Sequence, residues 1–223
     1  FDALCHTFGT MATGGFSTKG ASIGHYNSAL IDYIVILFMM LAGINFALHY
    51  RAIKGSPLIY FRDREARTFL IIIVTASVII GINVWSYTNH DVDLTLRNTL
   101  FQVISILTTT GYGTVDYEQW NTTSQILLLL MMFMGGCAGS TGGAMKIVRT
   151  VILFKFGLNE IKRLIHPQAI LHVRIGDKVV SKEILSNIAG FFLLYMMLFV
   201  AGVIFMSTLG LDIVTAIGSV AAN

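Results

Sequence analysis

The chain has 223 residues, of which 55% are hydrophobic and only 12% are charged, and its mean hydropathy is +0.73. A water-soluble domain carries about a quarter charged residues, so the composition excludes such a domain and favours a protein of the lipid bilayer. The net charge of +3 is too small to predict a nucleic-acid partner.

The predicted elements alternate between helices long enough to cross a bilayer and helices that are too short. A spanning helix needs about 20 mostly apolar residues. In chain order, the sequence predicts a short helix in 1–11, a polar loop in 19–27, spans in 28–50 and 68–87, a short helix in 94–107, an apolar helix in 121–134, helix again in 144–165, a polar connection in 166–182, a span in 183–209 and a short helix in 212–222 with Asp212 as its cap.

Two of the short helices lead into similar glycine-containing stretches. Residues 12–18 read ATGGFST and residues 108–114 read TTTGYGT, and we pair Gly14 with Gly111 at an offset of 111 − 14 = 97 residues. Glycine permits dihedral angles that let consecutive carbonyl groups point the same way. An ordinary turn is the alternative, but irregular backbone at membrane depth is tolerated only inside protein or beside a wet cavity.

The sequence therefore predicts that backbone carbonyl oxygens of these stretches hold a dehydrated cation, because a row of carbonyls can replace the water around potassium. Threonine hydroxyls could add to the ligands. The predicted ligands are Ala12, Thr13, Gly14, Gly15, Thr109, Thr110, Gly111 and Tyr112, with potassium held chiefly at Thr13, Gly14, Thr110 and Gly111.

The distribution of charge predicts an orientation. If the glycine stretches are reached from outside, the basic connections 51–67 and 146–182 lie inside with 15 − 2 = 13 of the 15 Lys and Arg residues, all except Lys19 and Arg97. This is the positive-inside bias of membrane proteins. The acidic residues around the outer mouth would concentrate cations, and they are Asp91, Asp93, Asp116 and Glu118.

A second glycine-rich run, residues 135–143, interrupts the helical pattern between 121 and 165. A nucleotide P-loop is excluded because the following Lys-Ser/Thr and the preceding strand are missing. A kinked helix with close packing and a movable plug remain open alternatives on the residues alone, and Ser140 and Thr141 can satisfy the freed backbone groups. The candidate gate residues are Gly135, Gly136, Gly139, Ser140, Thr141, Gly142 and Gly143.

The other polar residues of the apolar segments have simpler explanations. Asp32 and His49 lie near the ends of a predicted span, where contact with headgroups or water is expected instead of a functional role. Lys146 and Arg149 are expected to be solvated or to contact lipid. Cys5 and Cys137 are expected to be small buried residues and not a disulfide or metal pair.

Two alternatives to an ion pathway belong to other classes of protein. An intramembrane hydrolase would need a nucleophile and a base at mid-membrane, and no His or Asp clearly lies at the depth of Ser140. A non-conducting scaffold subunit would use the glycines only for packing.

Three motifs, at 12–18, 109–116 and 135–143, occur in an order that resembles the TrkH branch of the Trk/Ktr/HKT potassium transporters along the whole chain. The resemblance implies an all-α membrane protein with four helix–pore loop–helix units around one pore and a selectivity glycine in each loop, matched here as Gly14 and Gly111. We expect an interior piece of such a protein. Its segments would be the end of the second unit (1–54), the third unit with a broken second span (55–165), and a cytoplasmic connection with the start of the fourth unit (166–223), whose filter loop begins at Asn223.

The resemblance also implies potassium uptake by a multi-pass protein of the inner membrane, with residues 135–143 as an intramembrane gate. It implies no catalysis and no organic cofactor, and it leaves open whether potassium moves alone or by symport with sodium or protons. The implied partners, besides membrane lipid, are a second copy of the protein and a cytoplasmic nucleotide-binding regulatory subunit similar to TrkA, which would dock on the connections 51–67 and 146–182.

Overall fold

The computed structural model describes residues 1–169, 171–176 and 178–222. The described chain is mostly helical, as predicted, and forms two compact units, Phe1–Ile147 and Val148–Asn223. The elements of the first unit are α1 (Asp2–Met11), a 3₁₀ helix (Ser22–Tyr26), α2 (Ala29–Ala42), α3 (Phe46–Lys54), α4 (Ile59–Arg62), α5 (Arg64–Val84), α6 (Val92–Leu107), a second 3₁₀ helix (Tyr117–Gln119) and α7 (Thr122–Met132).

Helix α6 lies at the centre of the first unit, packed against α2, α5 and α7. Its last turns, Phe101 to Leu107, are buried on every side. Most of the buried polar side chains of this helix donate hydrogen bonds to backbone carbonyl oxygens, as is usual for buried polar groups; they are Thr95, Thr99, Gln102 and Ser105. For example, Gln102 Nε2 donates to the Val115 carbonyl oxygen at 3.2 Å. Helix α6 is therefore held tightly enough to fix the position of the loop that follows it.

Side-chain oxygens cap the starts of several helices, which explains why the helices begin where they do. Asp63 accepts a hydrogen bond from Ala66 N at 2.8 Å at the start of α5, and Asp91 accepts one from Leu94 N at 2.9 Å at the start of α6. Asn121 does the same for Ser124 N at 3.0 Å before α7. The predicted cap at Asp212 is confirmed by its bond from Thr215 N at 3.2 Å.

The second unit contains the remaining elements. They are α8 (Ile147–Ile165, whose first residue belongs to the first unit), the strands β1 (Arg174–Ile175) and β2 (Lys178–Val179), α9 (Lys182–Thr208) and α10 (Ile213–Ala222). The strands form an antiparallel hairpin inside the segment predicted as a polar connection, with Arg174 opposite Val179. A small core of Ile152, Val173 and Ile188 joins α8, the hairpin and α9, and α10 packs against α9.

Among the described residues, α5 and α9 are long and apolar enough to cross a membrane. They confirm the spans predicted at 68–87 and 183–209, with boundaries that differ by a few residues. Helices α1, α6 and α10 are short, as predicted.

The span predicted at 28–50 is present as a bent pair of helices and not as one straight helix. Helices α2 and α3 meet at residues 43–45 with a bend of 100°. Asn45 caps α3 by accepting a bond from Ala47 N at 2.8 Å, and His49 Nε2 donates to the Leu41 carbonyl oxygen at the end of α2 at 2.9 Å. These bonds compensate for the interrupted helical ladder, so hydrophobicity alone did not reveal the break.

Candidate functional site

The two glycine stretches lie side by side. A Cβ atom built on Gly15 would come within 1.9 Å of the Thr110 carbonyl oxygen. The buried Tyr112 hydroxyl lies 3.2 Å from the His6 carbonyl oxygen and 3.3 Å from that of Phe16, and it donates toward both. The tertiary structure thus joins two segments that are far apart in sequence.

The two stretches share one backbone conformation. Thr13 has a φ of 50° and Thr109 a φ of 59°, while Gly15 has a φ of 64° and Gly111 a φ of 81°. Positive φ is uncommon for threonine, so its recurrence at matching positions is specific. The offset between the stretches is 109 − 13 = 96 residues, and 111 − 15 = 96.

The backbone hydrogen bonds give the same correspondence. Gly14 N donates to Gly9 O at 2.8 Å and Thr110 N donates to Ser105 O at 2.9 Å, each across five residues. Gly14 therefore corresponds to Thr110, and Gly15 corresponds to Gly111. The predicted pairing of Gly14 with Gly111 is wrong by one residue, because the adjacent Gly14 and Gly15 left the register ambiguous in the sequence.

The carbonyl groups of the two loops divide into engaged and free sets. Within the described residues, the carbonyl oxygens of 13–15 and 109–111 accept no hydrogen bond. By contrast, Ala12 O accepts one from Thr13 Oγ1 at 2.7 Å, and Tyr112 O accepts one from Ser105 Oγ at 2.6 Å. Of the eight carbonyl groups predicted as ligands, those of Ala12 and Tyr112 thus already accept hydrogen bonds. The six that remain occupy equivalent positions in the two loops.

The threonine hydroxyls of the second loop also form hydrogen bonds within the protein. Thr108 Oγ1 and Thr110 Oγ1 are 2.8 Å apart, and Thr109 Oγ1 accepts a bond from Gly143 N at 2.6 Å. These bonds brace the loop. By contrast, a Cβ atom on Gly111 would meet nothing within 4 Å among the described residues, so this glycine borders open space.

Sequence analysis missed the role of His6, which is buried behind the first loop. Its Nδ1 lies 2.8 Å from the Asp2 carbonyl oxygen and therefore donates the hydrogen. In the neutral ring, Nε2 then accepts from the Ser17 hydroxyl at 2.9 Å. His6 thus ties α1 to the end of the loop, and only the fold brings these groups together.

The glycine-rich run forms a closed loop between α7 and α8. A Cβ atom on Gly135 would lie 2.1 Å from the Gly143 carbonyl oxygen, so the two ends of the run touch. Ser140 Oγ donates to the Cys137 carbonyl oxygen at 2.6 Å, and Thr141 Oγ1 donates to the Ala42 carbonyl oxygen at 3.4 Å. Residues 133–146 lie outside both helices, so a simple helix kink does not describe the segment.

This loop contacts the second carbonyl stretch on one side. Gly143 N donates to the Thr109 hydroxyl, and a Cβ atom on Gly142 would lie 3.0 Å from the Thr108 carbonyl oxygen. A side chain at 142 would make a tight contact with this backbone, so the absence of a Cβ atom at Gly142 favours the close approach of the two loops.

On its other side the loop contacts the α2–α3 bend and α5. Cys137 N donates to Gly43 O at 2.8 Å, and Phe46 N donates to Gly139 O at 3.0 Å. Ala138 N donates to the Glu65 carboxylate at 2.7 Å. The bend and the loop thus satisfy each other's backbone groups, and Glu65 connects the loop to the first turn of α5.

Lys146 does not have the expected environment, whereas Arg149 is exposed. Lys146 Nζ donates to the carbonyl oxygen of Gly142, and it lies 3.3 Å from both the carbonyl and the hydroxyl oxygen of Ser140. The Arg149 guanidinium lies 4.8 Å from the centre of the Phe191 ring. The expectation of solvation or lipid contact is therefore wrong for Lys146, whose side chain folds back onto the loop.

The expectation for Asp32 is also corrected, whereas His49 is half-buried and bonds to neighbouring groups. Asp32 is buried at 6% exposure, and its Oδ2 lies 3.6 Å from Arg97 Nε on α6. His49 stabilises the helix bend, with Nδ1 2.9 Å from the Tyr60 hydroxyl. Both residues hold helices together, because helix packing places their partners beside them.

Three other predictions concern ligands. Cys5 and Cys137 are both free thiols; Cys137 is buried, as predicted, whereas Cys5 is only half-buried. No cluster of three metal-binding His, Cys, Asp or Glu side chains occurs in the described part of the chain. Asn223, predicted as a filter residue, lies outside the described residues.

Within the described residues, two loops of unpartnered carbonyls, each at the end of a short helix among apolar helices, are the features expected of a membrane protein that transports cations. The model of the TrkH family, described as a cation transport protein, matches residues 1–223, and the chain belongs to this family. The family comprises transporters and not enzymes, and the apolar helices agree with a multi-pass membrane protein.

The chain is similar to potassium uptake proteins along its whole length. It is 39% identical to the Trk system potassium uptake protein TrkH of Salmonella typhimurium and 38% identical to TrkG of Escherichia coli, covering 100% of this chain and 47% and 46% of those proteins. The crystal structure of the potassium transporter TrkH from Vibrio parahaemolyticus matches with a TM-score of 0.92 and 36% identity, over 99% of this chain and 48% of that one. The chain thus spans about half the length of these relatives.

Proposed function

We propose that the chain forms part of a potassium uptake protein in which the free carbonyls of 13–15 and 109–111 line a selectivity filter. The observation that carries the proposal is the set of six carbonyls, in matching conformation, that accept no hydrogen bond within the described residues. Backbone carbonyls at membrane depth need a partner, and a dehydrated potassium ion provides one. The names of the similar proteins support potassium as the ion.

In this mechanism the short helices α1 and α6 deliver the chain to the filter, and no bond is made or broken. The proposed selectivity glycines are Gly15 and Gly111, at equivalent backbone positions. Two further loops would complete a ring of four, with the segments 1–54, 55–165 and 166–223 belonging to the second, third and fourth units. The fourth loop would begin at Asn223.

The loop 135–143 is the proposed gate. Its contacts with Thr108 and Thr109 place it against the carbonyl stretch, so an ion leaving that stretch requires the loop to move. A cytoplasmic nucleotide-binding regulatory subunit would dock on the connections 51–67 and 146–182. Glu65 supports this part of the proposal, because it belongs to the first connection and binds the loop directly. Assembly as a homodimer in the inner membrane completes the proposal.

Flux through the complete protein in proteoliposomes tests the function. Rubidium should enter as a tracer for potassium, and Gly111→Ser should lower the preference for potassium over sodium, because the side chain would project from a strained position at the edge of the filter. Gly113→Ser is the matched control, since Gly113 has equal space around it but no positive φ. The same potassium preference in both variants would contradict the filter assignment, and absence of any alkali-cation flux would contradict transport.

A further inference from the structure

Lys146 places a positive charge inside the glycine-rich loop. A lysine ammonium has three N–H donors and no acceptor. Here it donates to the Gly142 carbonyl oxygen and lies 3.3 Å from two oxygens of Ser140, the carbonyl and the hydroxyl. Ser140 keeps its hydroxyl available as an acceptor because its own hydrogen points to the Cys137 carbonyl oxygen.

These oxygens form the kind of ligand set that a dehydrated monovalent cation needs. Carbonyl and hydroxyl oxygens replace water around such an ion, and an ammonium group has the same charge and nearly the same size as potassium. The set also lies next to the proposed ion path. Gly142 approaches the Thr108 carbonyl oxygen, and Gly143 is bonded to the Thr109 hydroxyl.

We propose that the Lys146 ammonium is a tethered cation that occupies a monovalent-cation site built from the Ser140 and Gly142 carbonyl oxygens and the Ser140 hydroxyl. Potassium takes the same site when the side chain leaves. This inference rests on the proposed function of the loop as a gate. While the ammonium is bound, it holds the loop folded against the filter and repels an ion from the same oxygens.

The opposite charge at Glu65 is consistent with this arrangement. Its carboxylate accepts the Ala138 N–H, while Lys146 donates to carbonyl oxygens of Ser140 and Gly142 in the same loop. Each charged side chain thus binds backbone groups of complementary polarity. Release of the loop therefore requires the ammonium to give up charge-assisted hydrogen bonds, which are stronger than neutral ones.

Thallium, which scatters anomalously and substitutes for potassium, tests the site in crystals of the complete protein. We expect filter thallium in both wild type and Lys146→Met, and an additional peak between Ser140 O and Gly142 O only in Lys146→Met. Filter thallium without the loop peak in the variant would overturn the tethered-cation site. Absence of thallium from the filter of both proteins would instead contradict the proposed function.

Rubidium flux measured without the regulatory subunit gives a second test. If Lys146 had a purely structural role, its replacement would not raise this flux. Lys146→Met should increase rubidium leak by about tenfold or more, because hydrogen bonds to a charged group contribute enough for such a shift. Lys146→Arg, which keeps the charge, should stay near wild type. Arg149→Met is the matched control. It also removes one positive charge, but the Arg149 guanidinium packs on the Phe191 ring and not on the glycine-rich loop.

A leak in Lys146→Met that is no higher than in wild type would also overturn the inference. If Lys146→Met does not give monodisperse protein, Lys146→Gln serves the same test, because its amide can still donate to the loop while the positive charge is lost.

Discussion

At Gly15 the missing side chain decides whether the two carbonyl loops can meet. The loop is left-handed there, with a φ of 64°, and the Thr110 carbonyl oxygen occupies the place of a Cβ atom. At the equivalent Gly111 only the first of these constraints applies, because nothing lies within 4 Å in the described structure. Two glycines with the same backbone role therefore tolerate substitution differently.

Gly15→Ala should destabilise the protein by about 2 kcal/mol or more, because the methyl group overlaps rigid backbone and the surroundings must shift. We also expect a lower potassium preference, since the second carbonyl loop would be displaced. Thermal unfolding in detergent and flux ratios measure the two effects. Gly20→Ala is the control, because Gly20 has open space and no positive φ, and equal unfolding temperatures for the two variants would contradict the close contact between the loops.

At the scale of helices, the pair Asp32–Arg97 joins α2 to the central helix α6. The side chains are only 8% and 15% exposed. Within the described residues, Asp32 Oδ1 has no hydrogen-bond partner, so the carboxylate depends on the arginine. Removing one partner of a buried pair leaves an uncompensated charge, which is much more costly than losing a surface pair.

Arg97→Met should therefore reduce the free energy of unfolding by about 3–5 kcal/mol, whereas Arg163→Met, which breaks an exposed pair with Glu160, should cost about 1 kcal/mol or less. Asp32→Asn combined with Arg97→Met should recover part of the loss, because no charge is left buried. Denaturation of the purified variants measures these differences. If the double variant were less stable than Arg97→Met alone, the isolated carboxylate would not be the cause.

At the scale of the whole molecule, the charges assign the two membrane faces. With 13 of 15 basic residues in the connections 51–67 and 146–182, those connections should face the cytoplasm. The proposed docking of a cytoplasmic regulatory subunit depends on this orientation, as does entry of potassium from the side of Asp116 and Glu118.

Cysteine labelling in intact cells tests the orientation. In a Cys5→Ala background, Glu118→Cys should react with a membrane-impermeant maleimide from outside, and Arg62→Cys should react only after the membrane is made permeable. Both positions are exposed, and the remaining Cys137 is buried. Labelling of Arg62→Cys from outside would reverse the orientation and exclude the docking surface.

The sequence by itself determined the features that depend on local chemistry. The lengths of apolar runs separated α5 and α9 from the short helices α1, α6 and α10. Side-chain oxygens such as that of Asp212 marked a helix start, and clustered glycines marked the two carbonyl stretches and the interrupted helix. These signals are readable because chain length, capping and glycine dihedrals involve neighbouring residues only.

Only the tertiary structure decided which groups meet. It gave the offset of 96 residues, the bend at 43–45, the pair Asp32–Arg97 and the position of Lys146 on the glycine-rich loop. In most of these cases the partner of a backbone group or a charge comes from another helix or loop. In the case of Lys146, the side chain folds back onto the loop that precedes it. A polar or irregular group inside an apolar protein must find such a partner, and sequence spacing does not identify it.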